Sequence, residues 1–370
     1  MKKLLAIVLS LLMVLSMVAC AAKEEPAAPA PAAPAAPAEK AEEAAPAEEA
    51  AEADPYADLE PVEIVGADNA SVGAAAEILG KLIAEKVADI TGGKLTVDYH
   101  PNGDLGNDAD ALRQAKDGDI GYVVCQTAQV VSFVPEMAVF DLPMVFAKYD
   151  GAKISNVLNG DNEFTQKLKA AHSAQGFEML GFLQNATYRL TTSNTDLSTV
   201  EAFKGLQIRT MENANHMDFW KAIDAEPTPL AWSEVYFALQ SGMLGAQENA
   251  ADTCAGANLQ EVQKYLSCTN HILYCNEVLI SGAVWAELDP AYQAALQQAT
   301  LEAIAEVEGS LVELDSSNKA KLAEGGMTIT EYDAAFYDGI LAVQGVQDLY
   351  AKIDADCGGL GTLLQAELAK

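Results

Sequence analysis

Strand and helix signals alternate along this chain from residue 62, and that alternation admits few folds. VEIVGA (62–67) has the apolar, β-branched character of a buried strand, and residues 73–90 then place Ala76, Leu79, Leu82, Ile83 and Val87 at helical spacing. Thr91-Gly92-Gly93 stops that helix, KLTVDYH (94–100) reads as the next strand, and Pro101-Asn102-Gly103 turns the chain. A helix is expected from Asp108 to Lys116 and another buried strand from Asp119 to Cys125. Parallel neighbours need a crossover connection, so this βαβαβ order predicts a mainly parallel sheet with helices on both faces.

A second α/β set follows residue 186. TYRLTTSN and FKGLQIRT read as strands, a helix is expected from Asn213 to Ile223, and Pro227-Thr228-Pro229 ends that stretch. A further helix starts near Ser233, a good N-cap residue, with Val235, Ala238, Leu239 and Met243 on its apolar face. From Pro290 to about Ala323 a run rich in Ala, Glu and Leu predicts one long helix. After two α/β units, such a helix suits a brace touching both.

The beginning of the chain reads differently. Lys2 and Lys3 precede an apolar run from Leu4 to Val18, too short for a membrane span and shaped like an export leader. Met17-Val18-Ala19-Cys20 resembles a bacterial lipoprotein box, in which Cys20 becomes the lipid-modified first residue; Met17 replaces the more usual leucine. Residues 21–60 are Ala, Pro and Glu in repeats such as PAAPAAPAEKAEEAAPAEEAAEAD, with too little apolar bulk to fold. They read as a disordered leash between a membrane anchor and a globular body, and a single lipid anchors a protein without making it span the membrane.

A formal net charge of -32 argues against nucleic acid or anionic lipid as a partner. Against that background the chain has three arginines, Arg113, Arg189 and Arg209, and the last two stand in apolar, strand-like settings. A guanidinium among apolar neighbours needs an anion, and its fork of donors matches a carboxylate. Two sites of this kind suit a receptor for a small organic anion; alternatively, each arginine pairs with an Asp or Glu of the protein itself. Besides Cys20, five cysteines remain: Cys125, Cys254, Cys268, Cys275 and Cys357. Their spacing is not that of a small disulfide framework. Cys268-x-x-His271-x-x-x-Cys275 could pass for a metal site, but CTNHILYC reads as strand, where that spacing splits the ligands between faces. No metal or cofactor is expected, and no phosphate-binding G-x-x-x-x-G-K-[ST] occurs.

The segments ITGGKLTVDYHPNGDLGND, FVPEMAVFDLPMVF, YRLTTSN, FKGLQIR, PTPLAWSEVYFALQSG, AQEN and TNHI follow one another along the chain. Together, over residues 62 to about 290, they resemble the solute-binding proteins of tripartite ATP-independent periplasmic (TRAP) transporters, in that family's order. The resemblance implies a two-domain fold of the periplasmic-binding-protein (Venus-flytrap) type, each domain a mainly parallel sheet flanked by helices, with the long helix bridging both. Domain I would be 61–186 plus 275–314 and domain II 187–274 plus 315–370, with the ligand cleft between them. By resemblance Arg209 clamps the ligand carboxylate, Arg189 near the hinge is directed at the same ligand, and Asn249 hydrogen-bonds it. Trp232 stands where the family packs an aromatic along the ligand, and Gln126 where some members place a polar or acidic residue on the opposing domain. Asp68-Asn69-Ala70-Ser71 stands in the place of a ligand contact. The family's usual Asp-Gly before QEN is here Gly245-Ala246.

The implied function is an exported capture protein, lipid-anchored or periplasmic, that hands an organic acid to the small and large integral subunits of a permease. A dicarboxylate, a keto or hydroxy acid, an aromatic acid and a sugar acid would all satisfy paired arginines. A receptor for an ATP-driven importer or a sensor kinase is the nearest alternative. A surface enzyme or adhesin is more distant: no H-E-x-x-H or Ser-His-Asp pattern appears, and His100, His172, His216 and His271 are scattered.

Overall fold

The computed structural model describes residues 54–370, so the leader, Cys20 and most of the 21–60 stretch lie outside the described residues. Among the described residues, eleven strands form two sheets. The first contains β1 (Val62–Asp68), β2 (Leu95–His100), β3 (Tyr122–Gln126) and β4 (Phe177–Leu183). The second contains β5 (Leu190–Ser193), β6 (Gln207–Thr210), β7 (Glu226–Pro229), β8 (Ala246–Asn249) and β9 (Tyr265–Ser267). The chain then returns to the first sheet for β10 (Asn276–Ser281) and to the second for β11 (Thr328–Thr330). The strand orders are β2-β1-β3-β10-β4 and β11-β9-β5-β8-β6-β7.

Both sheets are mixed rather than mainly parallel. In the first, β10 runs antiparallel to both β3 and β4. In the second, β5 is antiparallel to β8 and β9. The chain's double crossing explains this, since each sheet receives strands entering from the other half. The two crossings touch: Tyr188 and Leu273 form an isolated antiparallel bridge, with Arg189 N donating to Ile272 O at 2.9 Å and Tyr274 N to Thr187 O at 2.9 Å. CTNHILYC is therefore an irregular crossing segment rather than a strand. Its Cys268 and His271 have different partners, the Glu331 and Glu248 carboxylates.

Helices form where the apolar spacing predicts them. In Ala75–Ile90 the buried positions Ala76, Leu79, Ile83 and Val87 make one stripe, and Gly80 lets the Tyr99 ring lie against that helix. Asn107 caps Asp108–Asp117 by accepting from Asp110 N at 3.0 Å, and Gly118 at φ 89° ends it. The helix expected at Ser233 spans Trp232–Gln240 with Ala231 at its N-cap, so Ser233 is not the cap, and Met243 beyond it is exposed.

The long helix is Pro290–Glu324, 35 residues and, at 1.5 Å each, roughly 50 Å long. Its buried seam includes Tyr292, Ala295, Leu296, Ala299, Ala303 and Ile304, where small side chains allow close approach to Ala75–Ile90 and β4. Further along it packs on Ala251–Gly256 and β11, so it braces both halves. The last helix, Leu360–Ala369, packs on Gly151–Leu158 and Glu163–Gln175, which flank the first sheet. Within 315–370, β11 stays in the second sheet while the last helix packs on the first half. No helix among the described residues is long and apolar enough to cross a membrane.

Candidate functional site

A cavity of about 70 Å³ lies between the two sheets where the C-terminal ends of β1 and β3 face those of β6 and β8. The carboxyl ends of strands in open α/β sheets are where ligand crevices form. Gln126, Arg209, Trp232 and Asn249 all line it, although they come from four separate segments. Asn69, Ala70 and Ser71 line it as well. Asp68 is buried beneath them and holds that loop, accepting from Ala70 N at 2.8 Å and Asn102 N at 3.1 Å.

Arg209 sits in β6 with 2 % of its surface exposed. Its Nε and Nη2 both donate to one carbonyl, Leu230 O, at 2.9 and 2.6 Å, while Nη1 has no partner. The guanidinium carbon lies 5.6 Å from the centroid of the Trp232 ring, within cation–π range. None of the ion pairs among the described residues includes Arg209. Burial pushes its pKa down to about 10, only partly opposed by the field of Glu248. A buried cation held by one carbonyl and facing a cavity is poised for an anion from outside.

Arg189 is placed otherwise. It does not line the cavity; its guanidinium is spent on Glu248, through Nε to Oε2 and through Nη2 to Oε1 at 3.0 Å and to the Glu248 carbonyl at 3.0 Å. Its Nη1 bonds the Gln126 side-chain oxygen. The alternative of an internal acid partner therefore holds for Arg189 and not for Arg209. Sheet register makes the pair: Thr191 stands opposite Glu248 across β5 and β8, which brings Arg189 alongside that carboxylate. Burial alone would raise the Glu248 carboxyl, but Arg189 and its histidine neighbours hold it well below the usual range. His271 Nε2 is 3.3 Å from Glu248 Oε2, and His216 Nδ1 is 3.8 Å from Oε1.

This buried network continues across the molecule. Asp141 of the first half accepts from Asn213 at 2.9 Å and Asn215 at 3.0 Å and lies 3.1 Å from His216 Nε2. Those three residues belong to the cap and first turn of the Ala214–Ala222 helix in the second half. At the other flank, Asp252 accepts from Ala75 N at 3.1 Å, so a carboxylate from the second half meets the first turn of a helix in the first. The halves are joined on both sides of the cavity.

Sequence reasoning missed several lining residues: Asn107, Asp108, Gln129, Glu212, Tyr274 and Asn276. Asp108 is the most informative. Burial raises its carboxyl to about 6, against a weak bond from the Asn69 amide at 3.5 Å. Arg113, the third arginine, is exposed and pairs with Asp110 at 2.9 Å. The five cysteines of the described body are buried free thiols.

Comparison with known proteins agrees with this architecture. A solute-binding protein of Verminephrobacter eiseniae is 29% identical over 270 residues, 73% of this chain and 78% of that protein. The sialic acid-binding periplasmic protein of Vibrio cholerae is 27% identical over 78% of this chain and 87% of its own. A TRAP periplasmic solute-binding protein from Desulfovibrio salexigens, crystallised with orotic acid, superposes with a TM-score of 0.78 at 25% identity, covering 83% of this chain and 98% of that one. Residues 63–348 match the family described as bacterial extracellular solute-binding protein, family 7, and the chain belongs to it.

Proposed function

We propose that this protein captures a small organic acid by its carboxylate at Arg209, between two halves that close over it, and presents it to a TRAP permease. The observation that carries this reading is the unpartnered Nη1 of a buried arginine in the cavity wall. A carboxylate there gains a charge-assisted bond in a place poor in water, where such bonds are strongest. Trp232 covers the guanidinium, and Asn249 and Gln126 supply neutral polar contacts from opposite halves. Arg189 acts one step back, fixing Gln126 and Glu248.

Each part needs little chemistry of its own, which suits a receptor and not an enzyme. The bridge between Tyr188 and Leu273 supplies the hinge, at boundaries near 186 and 275, and closure is favoured by whatever the ligand contacts only in the closed form. The relatives named above with sialic acid and with orotic acid bind carboxylic acids, in keeping with one guanidinium clamp. We further place the protein outside the cytoplasm, with Cys20 as a lipid anchor, the residues after it as a leash, and a permease of small and large integral subunits as partner. Thermal shift against a panel of carboxylic acids tests the reading. A ligand raises the melting temperature of the native protein and leaves that of Arg209→Ala unmoved; no response to any acid, or equal responses in both proteins, refutes it.

A further inference from the structure

We propose that the cavity selects a hydroxylated monocarboxylate, one acid group on a hydroxyl-bearing tail, and turns dicarboxylates away. The inference rests on the reading of Arg209 as the carboxylate clamp. It follows from a census of charge around the cavity. Among the described residues, Arg209 is the only cation in the lining, with no lysine or histidine beside it. Arg189, which could have met a second carboxylate, is already engaged by both oxygens of Glu248. The remaining charged groups of the wall are acids, Asp108 and Glu212.

A guest's second carboxylate would therefore meet no cation and at least one like charge. A like charge at about 5 Å and an effective dielectric of about 20 lowers affinity roughly a hundredfold. The polar residues that the first half contributes to the lining are instead Asn69, Ser71, Asn107, Gln126 and Gln129, with Asp108 among them, beside the apolar Ala76, Val124 and Cys125. Amides and hydroxyls both donate and accept, which is what sugar-type hydroxyl groups require of a partner. Asn107 and Gln126 already spend their oxygens on Asp110 N and Arg189, and a plain alkyl tail would leave the remaining donors and acceptors of the set without a guest partner.

Asp108 fixes the polarity of that wall. Its one side-chain bond, from the Asn69 amide, is long at 3.5 Å, so its oxygens keep acceptor capacity for a guest hydroxyl. Burial raises its carboxyl to about 6, and a hydroxyl donating to it favours the ionised form. A hydroxy acid should then bind more tightly as pH rises from 5 to 7.5. A dicarboxylate should show the reverse, because it is tolerated only with Asp108 protonated.

Calorimetry decides the matter, with glycerate, erythronate, gluconate and galactonate as hydroxy acids, succinate and malate as dicarboxylates, hexanoate as the plain acid and 4-aminobutyrate as the amino acid. At pH 7.5 at least one hydroxy monocarboxylate should bind about a hundredfold or more tighter than succinate. Asp108→Asn should narrow that ratio about tenfold and flatten the pH profile; should this variant fail to fold, the native protein's opposite pH trends carry the same test. Succinate binding as tightly as every hydroxy acid, and lost in Arg209→Ala, overturns the selectivity and leaves the clamp intact. Equal binding of hexanoate or 4-aminobutyrate also overturns it. Acids that bind equally to the native protein and Arg209→Ala, or a complete absence of binding, overturn the clamp as well.

Discussion

Replacing Arg209 by methionine keeps the stem that packs against Trp232 and removes the charge, and its two consequences should diverge. Bound ligand would lose its only cationic partner in a buried cavity, which costs about 3–5 kcal/mol, or roughly a hundredfold to a few thousandfold in affinity. The empty protein should lose almost nothing. Burial lowers the Arg209 pKa from 12.5 to about 10, so at neutral pH the charged form carries a penalty of roughly 2–4 kcal/mol. The sign is that of a base with a depressed pKa: the penalty is fully present below about 10 and lifts only as pH climbs toward 12.5. Removing the side chain relieves it and gives up two bonds to Leu230 O, each worth about 1 kcal/mol, together with the Trp232 contact at about 0.5–2 kcal/mol. These nearly cancel, so the ligand-free melting temperature should move by less than about 4 °C. Calorimetry and differential scanning on the same samples measure both. A ligand-free melting temperature more than about 10 °C lower, with affinity unchanged, would mean that Arg209 is a structural residue.

Arg189→Ala should show the opposite pattern, because it strands the buried Glu248 carboxylate. Stability falls by about 3–5 kcal/mol, read by chemical denaturation, and an unchanged midpoint would contradict the pairing. Asp141→Ala removes the acceptor shared by Asn213, Asn215 and His216 and should lower the melting temperature by several degrees. His216 is held above its ordinary value by Asp141 despite burial, so its stabilisation is complete below pH 6.5 and fades as pH rises through the folded-state value. Melting curves across pH should lose that slope in His216→Gln, and an unaltered slope would remove His216 as its source. Trp232→Ala should weaken ligand binding about three- to thirtyfold and Trp232→Phe less, a ranking that calorimetry can reverse.

Much of the fold was legible because local signals and tertiary context agree. Leu79, Ile83 and Val87 stripe a real helix, Asn213 caps another, and the run from Pro290 is a single brace. The resemblance grouped Arg209, Trp232, Asn249 and Gln126, and all four line the cavity. The partner of Arg189 was not legible. With 54 acidic residues in the chain, only the register of β5 on β8 singles out Glu248. Strand direction was hidden for a related reason: β10 reads as any buried strand, and its antiparallel course depends on where the chain crosses back. Asp108 escaped notice because its composition signal, an acid in the first turn after an Asn cap, is what any helix start shows.

The central claim is tested most directly by a crystal structure of the protein with a bound acid. A ligand carboxylate within about 3 Å of Arg209 Nη1, under the Trp232 ring, is the predicted result. An Arg209 side chain that still touches only Leu230 O, or that has turned to a protein carboxylate while the guest lies elsewhere, would contradict it.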